Sequence, residues 1–262
     1  MGVEGRVAVV TGATSGIGEA SAIRLAADGA RVVVAGRDRE RGEAVVEHIK
    51  QDGGEATFIE HDLSDEQGAE KLLDATKSAF GTPEILLSNA GTFFFGPLAE
   101  TDLDEFETAM TINVRGTYLL ARAFLPEMAR AGYGRVVFMG SSGSSVGVAL
   151  TPLYAMSKGA VKGLMRALVP EFGASGVTLN LIEPGLIRTP LTAPMTGTEE
   201  LREPFIPHHP NGRLGVSEDI AHVVAMVADD EAGHFNGQVL TVDGGNTATA
   251  KHSALPPPPD KL

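Results

Sequence analysis

A short apolar run followed at once by a glycine-rich turn constrains this chain more than any other feature. The run Arg6–Val10 is predicted to be a buried strand, and the turn after it reads TGATSGIG. Gly12, Gly16 and Gly18 lie between this strand and a helix predicted from about Ile17 to Asp28. Glycine lets the backbone turn sharply and approach a pyrophosphate, and a helix N-terminus offers free N–H groups to the anion. The turn therefore predicts a phosphate cradle, although its G-x-x-x-G-x-G spacing differs from the usual G-x-G-x-x-G.

Further along the chain, short apolar runs alternate with amphipathic stretches. Near-continuous apolar strands separated by helices indicate a parallel sheet covered on both faces, and right-handed crossovers make it doubly wound. The further predicted strands are Arg31–Ala35, Ala56–Glu60, Glu84–Ser88, Arg135–Met139, Val177–Ile182 and Gln238–Val242. The further predicted helices are Glu40–Gln51, Asp65–Phe80, Leu103–Arg130 and Pro152–Ala174.

Two segments interrupt this alternation. The segment at about 186–215 is rich in Pro, Thr and His and follows the sixth strand, where ligands bind, so we interpret it as a substrate lid. The tail 247–262 contains Pro256–Pro259, which cannot continue a helix or a central strand. We predict a polyproline-like or flexible tail, with packing on a neighbouring subunit and a loose terminus as open alternatives. Residues 1–246 are predicted to form one domain.

Composition limits the partners. The formal net charge of -13 argues against nucleic acid, and the absence of cysteine excludes disulfides, thiolate catalysis and cysteine metal sites. No signal peptide is recognised and the apolar runs are too short for a bilayer, so we expect a cytoplasmic protein. His208 and His209 lack partners at ligand spacing, so no metal site is expected. We interpret them as exposed loop histidines, with a hydrogen bond to substrate as the alternative.

The end of the second predicted strand distinguishes NAD from NADP. An acidic residue there would bind the ribose 2′-OH, but the sequence has Gly36 followed by Arg37. A guanidinium suits a 2′-phosphate, and Arg39 and Arg41 could reinforce it. Asp38 could instead pair with Arg37 or contact a ribose itself. The residues favour NADP(H), with NAD(H) as the alternative.

A tyrosine and a lysine lie four residues apart at the start of a predicted helix. Tyr154 and Lys158 therefore share one helix face, and an ammonium beside a phenol is expected to lower the tyrosine pKa from about 10 towards working pH. Such a tyrosine can give a proton to a carbonyl oxygen or take one from an alcohol. Ser141 stands thirteen residues upstream, after the fifth strand, and its hydroxyl can reach the same edge. Ser142 is the nearest rival.

Other motifs follow the strands in a recognisable order. Asn89-Ala90-Gly91 follows the fourth strand, Asn113 lies in the long helix, and PGLIRTP follows the sixth strand. With the glycine turn and the serine, tyrosine and lysine, these motifs resemble the classical short-chain dehydrogenase/reductase family over about Gly5 to Gly245. The resemblance implies a single Rossmann domain with a seven-stranded parallel sheet in the order 3-2-1-4-5-6-7, and a homotetramer or, failing that, a dimer.

The resemblance also implies roles for individual residues. Tyr154 would be the general acid/base, and Lys158 would lower its pKa and hold the nicotinamide ribose. Ser141 would bind the substrate oxygen, and Asn113 would hold a water linking Lys158 to solvent. Asp62 would contact the adenine, Asn89 and Gly91 the adenosine ribose region, and Ile187 and Thr189 the carboxamide. The whole predicted cofactor set is Gly12, Ser15, Gly16, Ile17, Gly18, Arg37, Asp62, Leu63, Asn89, Ala90, Gly91, Tyr154, Lys158, Pro184, Gly185, Ile187 and Thr189.

The substrate pocket is predicted to be apolar. Three consecutive aromatics at 93–95 cannot all face one core, so at least one is expected in the pocket, with packing under the lid as the alternative. The predicted lining is Phe93, Phe94, Ser142, Val148, Leu186, Leu191, Met195 and Phe205. Such a wall indicates a hydrophobic ketone or alcohol rather than a sugar.

These expectations describe an NADP(H)-dependent ketoreductase or secondary-alcohol dehydrogenase. A 3-oxoacyl carrier-protein reductase is the rival within the family, since Arg130 could hold a carrier, but Ser175 stands where a basic residue is frequent. Enoyl reductases space the tyrosine and lysine by seven residues, whereas the spacing here is four. The alternative from another class is a non-catalytic dinucleotide sensor. Such a sensor would be expected to lack the serine, the tyrosine or the lysine.

Overall fold

The computed structural model describes residues 2–248 of the chain. Its strands and helices are, in chain order, β1 (Val7–Thr11), α1 (Gly16–Ala27), β2 (Arg31–Gly36), α2 (Arg39–Gln51), β3 (Glu55–Glu60), α3 (Gly68–Phe80), β4 (Ile85–Ser88), α4 (Leu103–Ala109), α5 (Gly116–Ala131), β5 (Gly134–Met139), α6 (Pro152–Phe172), β6 (Val177–Pro184), β7 (Ile187–Arg188), α7 (Ala193–Thr196), α8 (Glu199–Arg202), β8 (Gly215–Val216), α9 (Ser217–Ala228) and β9 (Val239–Val242). The predicted tail lies outside the described residues from position 249 onward, including Pro256–Pro259.

Seven parallel strands form the main sheet in the order β3-β2-β1-β4-β5-β6-β9. This confirms the expected order, because β9 is the seventh strand of that sheet, and β7 pairs separately with β8. Every residue of β1, β4, β5 and β6 is buried, which explains their near-continuous apolar sequences. The strand order reverses between β1 and β4, and ligands of such sheets bind at the carboxyl edge there.

Helices cover both faces of the sheet, as expected for a doubly wound α/β fold. On one face, α1 packs against α9, and Leu25 and Val224 belong to the same buried cluster. On the other face, α3, α5 and α6 cover a second cluster that includes Phe124 and Met165. The two apolar layers hold the strand ends in fixed positions, which is the part of the fold that the site needs.

Helix α9 was not predicted from the sequence. Its apolar side chains Ile220, Val224 and Val227 lie on one face at helical spacing, and all three are buried. Its first turn is closed by Asp219, whose carboxylate accepts a hydrogen bond from the Val216 N–H at 2.8 Å. Acidic residues followed by apolar residues at helical spacing could therefore have predicted this helix from the sequence.

The chain is helical without a break over the predicted range Leu103–Arg130, but it is not α-helical throughout. Between α4 and α5 the chain takes the wider turns of a π-helix over Met110–Arg115, and Asn113 lies within it. Such bulges are frequent at functional sites because they redirect one side chain out of the helical register. The helix predicted from Asp65 also starts later, since Asp65 is used in a turn that accepts the N–H of Gly68.

The segment expected to be a lid is built from short elements. It contains β7, α7 and α8, and it ends at β8. The N–H of Asn211 donates to the carbonyl of Gly244 at 3.2 Å, which ties this segment to the turn after β9. His208 is exposed, but His209 is only 5% exposed and its Nδ1 is 2.9 Å from the Phe205 carbonyl. The expectation of two exposed histidines is thus wrong for His209, because the lid folds over its ring.

Candidate active site

A cleft of about 990 Å³ lies at the carboxyl edge of the sheet, where the strand order reverses. Eleven predicted cofactor residues line it, namely Gly12, Ser15, Gly16, Ile17, Arg37, Asp62, Leu63, Asn89, Ala90, Gly91 and Thr189. Gly18, Tyr154, Lys158, Pro184, Gly185 and Ile187 were predicted with them and are not part of that lining. Ile187 is only 4% exposed, and its predicted contact with the carboxamide stays a prediction.

The glycine turn between β1 and α1 leaves no room for side chains. Gly12 and Gly16 have φ values of 65° and 58°, in the left-handed region that favours glycine. A Cβ on Gly18 would lie 2.2 Å from the Gly12 carbonyl oxygen and 2.7 Å from the Asn89 amide nitrogen. Asn89 in turn donates to the Thr11 carbonyl at 3.0 Å, which joins the ends of β1 and β4. The backbone is therefore open to a pyrophosphate at the N-terminus of α1, as a dinucleotide requires.

The end of β2 is crowded by a neighbouring side chain. A Cβ on Gly36 would lie 2.6 Å from the Thr14 side chain, so an acidic residue there would force Thr14 to move. Asp38 caps α2 and pairs with Arg41 at 2.6 Å, so the expected pairing with Arg37 is not found, and the alternative contact with a ribose stays a prediction.

The arginines that follow differ in their partners. Arg39 forms ion pairs with Glu43 and Glu60, whereas Arg37 forms no ion pair or hydrogen bond within residues 2–248. The pKa of Asp62 is lowered, first by the hydrogen bond from the Ser64 N–H and to a smaller extent by the charge of Arg37. Arg37 is therefore the arginine at this edge whose guanidinium is not committed to a carboxylate contact.

His61 lines the cleft and was not among the residues predicted from the sequence. It lies beside Asp62 and is only 6% exposed. Burial lowers the pKa of its imidazole below the ordinary 6.5, so the ring is neutral at physiological pH. Its position directly before the predicted Asp62 was a signal that sequence reasoning could have used.

Ser141, Tyr154 and Lys158 come together where β5 and α6 meet. The Ser141 hydroxyl, just after β5, lies beside the Tyr154 phenol and acts to lower its pKa, and the choice of Ser141 over Ser142 stays a prediction. Lys158 is 5% exposed, and its Nζ donates to the Met139 carbonyl at 3.0 Å and lies 5.8 Å from the centre of the Tyr154 ring. A proton donor, its hydroxyl partner and a buried amine thus occupy one corner of the fold.

The expected effect of Lys158 on Tyr154 differs from the structure. Burial raises the pKa of Tyr154 to about 12, and the hydrogen bond from Ser141 offsets only part of that rise. Burial also lowers the pKa of Lys158 to about 8. The amine points to a backbone carbonyl rather than to the phenol oxygen, so the expected lowering of the tyrosine pKa is wrong for this arrangement. Tyr154 is therefore a protonated phenol at neutral pH.

Asn113 is fixed in the π-helical turn by three hydrogen bonds. Its Oδ1 accepts from the Thr92 N–H at 2.8 Å, and its Nδ2 donates to the Thr92 carbonyl and the Ser157 hydroxyl at 3.0 Å each. A Cβ on Gly91 would lie 3.0 Å from this Oδ1 and 3.3 Å from the Lys158 Nζ. Because Gly91 has no side chain, the Asn113 Oδ1 and the Lys158 Nζ can both lie close to its Cα. Thr92 and Ser157 were not predicted as parts of this site.

The side chains predicted to line the substrate pocket lie in different surroundings. Phe93 packs its edge against the Tyr154 ring at 4.8 Å between centroids, and it stacks on Phe95. Val148 and Leu191 are each 50% exposed, whereas Ser142 is buried. Phe94 lines a separate hollow of about 150 Å³. Leu186, Met195 and Phe205 are half-buried in the lid segment, and their place in the pocket stays a prediction.

Comparison with known proteins identifies the family. A family model described as enoyl-(acyl carrier protein) reductase matches residues 12–247. A 3-oxoacyl-[acyl-carrier-protein] reductase of Pseudomonas aeruginosa is 34% identical over 94% of this chain and 98% of its own length. A 7alpha-hydroxysteroid dehydrogenase of Clostridium sardiniense is 35% identical over 93% of this chain and 94% of its own. The chain belongs to the short-chain dehydrogenase/reductase family and is an oxidoreductase of that type.

Solved structures agree with this assignment. Actinorhodin polyketide ketoreductase with NADPH matches with a TM-score of 0.89 and 30% identity, covering 93% of this chain and 98% of that one. A gluconate 5-dehydrogenase from Burkholderia cenocepacia in complex with NADP and tartrate matches with a TM-score of 0.90 and 26% identity, covering 95% and 98%. The same frame thus serves relatives named for very different substrates.

Two further properties concern residues 2–248 alone. No helix in this part of the chain is long and apolar enough to cross a membrane. No group of three or more His, Cys, Asp or Glu side chains there could hold a metal ion.

Proposed function

We propose that this protein transfers a hydride between NADP(H) and a hydrophobic ketone or secondary alcohol, as a ketoreductase or alcohol dehydrogenase. The observation that carries the proposal is the grouping of Ser141, Tyr154 and buried Lys158 beside a cleft with a glycine cradle. Ser141 acts on the pKa of Tyr154, and the Lys158 Nζ lies 5.8 Å from the centre of the Tyr154 ring. A non-catalytic sensor has no need of this constellation. Retention of all three side chains therefore favours an enzyme.

Ser141 and Tyr154 would act together on the substrate oxygen. Two preorganised hydroxyls can stabilise the negative charge that develops on a carbonyl oxygen during reduction. Because Tyr154 is protonated at neutral pH, it can donate its proton to that oxygen, and in the reverse direction it takes a proton from the alcohol. Lys158, protonated below about pH 8, would bind the nicotinamide ribose. When bound, the cofactor supplies or accepts the hydride.

The choice of NADP(H) rests on the end of β2. An acidic residue in place of Gly36 could bind a ribose 2′-OH but would force Thr14 to move, and Arg37 has a guanidinium without a carboxylate partner within residues 2–248. A guanidinium forms charge-assisted bidentate bonds with a phosphate. The similar polyketide ketoreductase and gluconate 5-dehydrogenase structures hold NADPH and NADP.

A hydrophobic substrate is favoured by Phe93 beside Tyr154 and by exposed apolar side chains in the segments that carry the site. Phe95, Val148 and Leu191 are large and exposed, and Phe93 lies against the reacting ring. Monomers rarely leave such groups exposed together without a ligand or partner to cover them. Relatives named as a hydroxysteroid dehydrogenase and a polyketide ketoreductase support this choice, whereas the gluconate 5-dehydrogenase supports a polar substrate.

A 3-oxoacyl carrier-protein reductase is the second candidate, because one relative carries that name. The positive charge that would bind an acidic carrier is largely neutralised here. Arg130 is ion-paired with Glu127, a carboxylate that also binds Lys77. The Ser175 hydroxyl donates to the Phe172 carbonyl at the end of α6. Thioesters of a short thiol and of the carrier protein separate this candidate from a general ketone reductase.

We also propose a cytoplasmic homotetramer with an interface on the α4–α5 face. Leu103 and Tyr118 are exposed there, and burying such side chains against a second copy would remove apolar surface from water. Light scattering after size exclusion should give four times the 27.3 kDa chain mass. A mass of one chain would contradict the assembly without touching the proposed reaction.

The proposal is tested by an NADPH-oxidation screen. The panel comprises bulky ketones, diketones, oxoacyl thioesters and a keto form of gluconate, with NADH run in parallel. We expect turnover of bulky apolar ketones at the highest kcat/KM and preference for NADPH. Tight NADPH binding by fluorescence, with no oxidation across the whole panel, would make the protein a sensor instead.

A further inference from the structure

A buried carboxylate lies beneath the loop that carries Ser141. Glu183 is the penultimate residue of β6, and its side chain is 0% exposed. The Nζ of Lys162 on α6 lies 2.7 Å from Glu183 Oε1, and the Lys162 side chain is 14% exposed. A buried carboxylate is costly unless it is paired and hydrogen-bonded, so this ion pair needs a reason to be here.

Two serines of the Ser141 loop complete the arrangement. The Ser144 hydroxyl donates to Glu183 Oε1 at 2.9 Å, and the Ser145 hydroxyl donates to Oε2 at 2.7 Å while accepting from Lys162 at 2.6 Å. Both carboxylate oxygens are thereby bound. We refer to Glu183, Lys162, Ser144 and Ser145 as the Glu183 cluster.

We propose that the Glu183 cluster positions Ser141 by clamping its loop onto β6 and α6. The inference rests on the proposed function, since it concerns how the same site holds its geometry. The Ser144 hydroxyl lies 2.8 Å from the Ser141 carbonyl as well as beside Glu183. Its single hydrogen is drawn to the charged oxygen, the stronger acceptor, so the loop is held directly beside Ser141.

The two ends of this loop are held by backbone bonds. The Gly140 N–H donates to the Ile182 carbonyl of β6 at 2.7 Å, and the Leu150 carbonyl accepts from the Gly96 N–H at 2.8 Å. Between these ends, Val146 and Val148 are exposed, so apolar packing contributes little there. The cluster joins the middle of the loop to the sheet and helix through side chains.

The clamp also connects the loop to the other two reacting groups. Lys162 follows Lys158 by one helical turn and Tyr154 by two on α6. A loop fixed to Lys162 is therefore fixed relative to both residues. Displacement of a reacting group by about 1 Å can cost on the order of 100-fold in rate, so a positioning device of this kind matters for turnover.

The test compares Ser145→Ala and Lys162→Met with the control Arg166→Met, an exposed cation one further turn along α6. Lys162→Met should lower kcat by roughly 10- to 100-fold and Ser145→Ala by less, with the Kd of NADPH within about twofold of wild type. Arg166→Met should leave kcat unchanged. If Lys162→Met fails to fold, the double variant Glu183→Gln/Lys162→Met removes both charges and takes its place.

A double-mutant cycle separates positioning from general damage. If the cluster acts through Ser141, adding Lys162→Met to Ser141→Ala should cost little further kcat. Losses that multiply in the double variant would overturn the inference.

Hydrogen exchange gives a readout that needs no turnover. Amides at 141–151 should exchange faster in Lys162→Met and Ser145→Ala than in wild type or Arg166→Met. Unchanged exchange of that segment overturns the positioning role. Faster exchange together with an inactive wild type overturns the proposed reaction alone.

Discussion

The cofactor half and the reacting half of the cleft are built in different ways. At Gly12, Gly18 and Gly36 a single added methyl would meet atoms at 2.9 Å or less, so backbone shape defines the cofactor half. The reacting half consists of side chains on loops and on α6, and several of them, such as Phe95 and Leu191, are exposed. A side chain added at any of these three glycines would clash with its neighbours, whereas the exposed side chains of the reacting half can be replaced by others.

This difference explains why one frame accommodates many substrates. The glycine turn must let its backbone approach the cofactor phosphates in every such protein, while the side chains of the substrate pocket can change without disturbing the sheet. Relatives of similar structure are accordingly named for a polyketide and for gluconate. The division also predicts that substitutions in each half will alter different measurements.

Tyr154→Phe should separate the halves most sharply. Removing the hydroxyl deletes the proton donor while the apolar ring keeps its contact with Phe93. We expect kcat to fall by about 10³-fold or more and the Kd of NADPH to stay within a factor of about two. Steady-state NADPH oxidation and fluorescence titration give the two values.

The exposed Tyr118 supplies the matched control, since Tyr118→Phe should leave both values unchanged. Retained turnover in Tyr154→Phe would remove this residue from the mechanism and place the chemistry elsewhere in the cleft.

The buried amine should make the stability of the reacting half pH-dependent. The pKa of Lys158 falls from 10.5 to about 8, so between these values the unfolded chain holds a proton that the folded protein has released. The free energy of unfolding should therefore rise with pH across that window, by at most about 3 kcal/mol, and the contribution should be lost as pH falls to 8.

Urea unfolding of wild type and Lys158→Met at pH 7.5 and pH 9.5 measures this effect. The wild type should gain stability relative to the variant on going to the higher pH. Tyr154 has the opposite sign, because its pKa of about 12 exceeds the ordinary 10, but it acts only above pH 10. Parallel pH profiles of the two proteins would contradict the buried-amine interpretation.

Arg37→Ala should affect the cofactor half alone. Loss of the guanidinium removes a charge-assisted contact to the 2′-phosphate, so the KM for NADPH should rise by roughly 10- to 100-fold while that for NADH changes little. At saturating NADPH the kcat should stay near the wild-type value.

Arg39→Ala is the control, because Arg39 is already paired with Glu43 and Glu60. Equal effects of Arg37→Ala on NADPH and NADH would refute the phosphate role and leave the cofactor choice to Gly36 and Thr14.

Phe93→Leu should have the smallest effect. The change keeps apolar volume but removes the ring edge from Tyr154, and such aromatic pairs contribute about 0.5–1.5 kcal/mol. We expect a few-fold rise in KM for bulky apolar ketones, with NADPH binding unaffected. Phe106→Leu on α4 is the comparison variant, and equal KM values for the two would exclude Phe93 from the substrate wall.

Much of the fold followed from local pattern. The apolar runs placed the seven strands of the main sheet to within about two residues, and the glycine turn placed the start of α1, because buried strands and phosphate turns have strong local signatures. Helix α9 was missed although it has such a signature. The π-helical turn around Asn113 has no comparable signature, since it depends on what α4 and α5 pack against.

The sequence by itself determined the residue types of the site and their order along the chain. It identified Ser141, Tyr154 and Lys158, and the Gly36-Arg37 pair, because these motifs are local. Only the tertiary structure decided their electrostatics and partners. Burial keeps Tyr154 protonated, directs Lys158 to a backbone carbonyl and joins Glu183 to Lys162 and two serines. Desolvation and long-range pairing depend on what the fold brings together, and no local pattern contains that information.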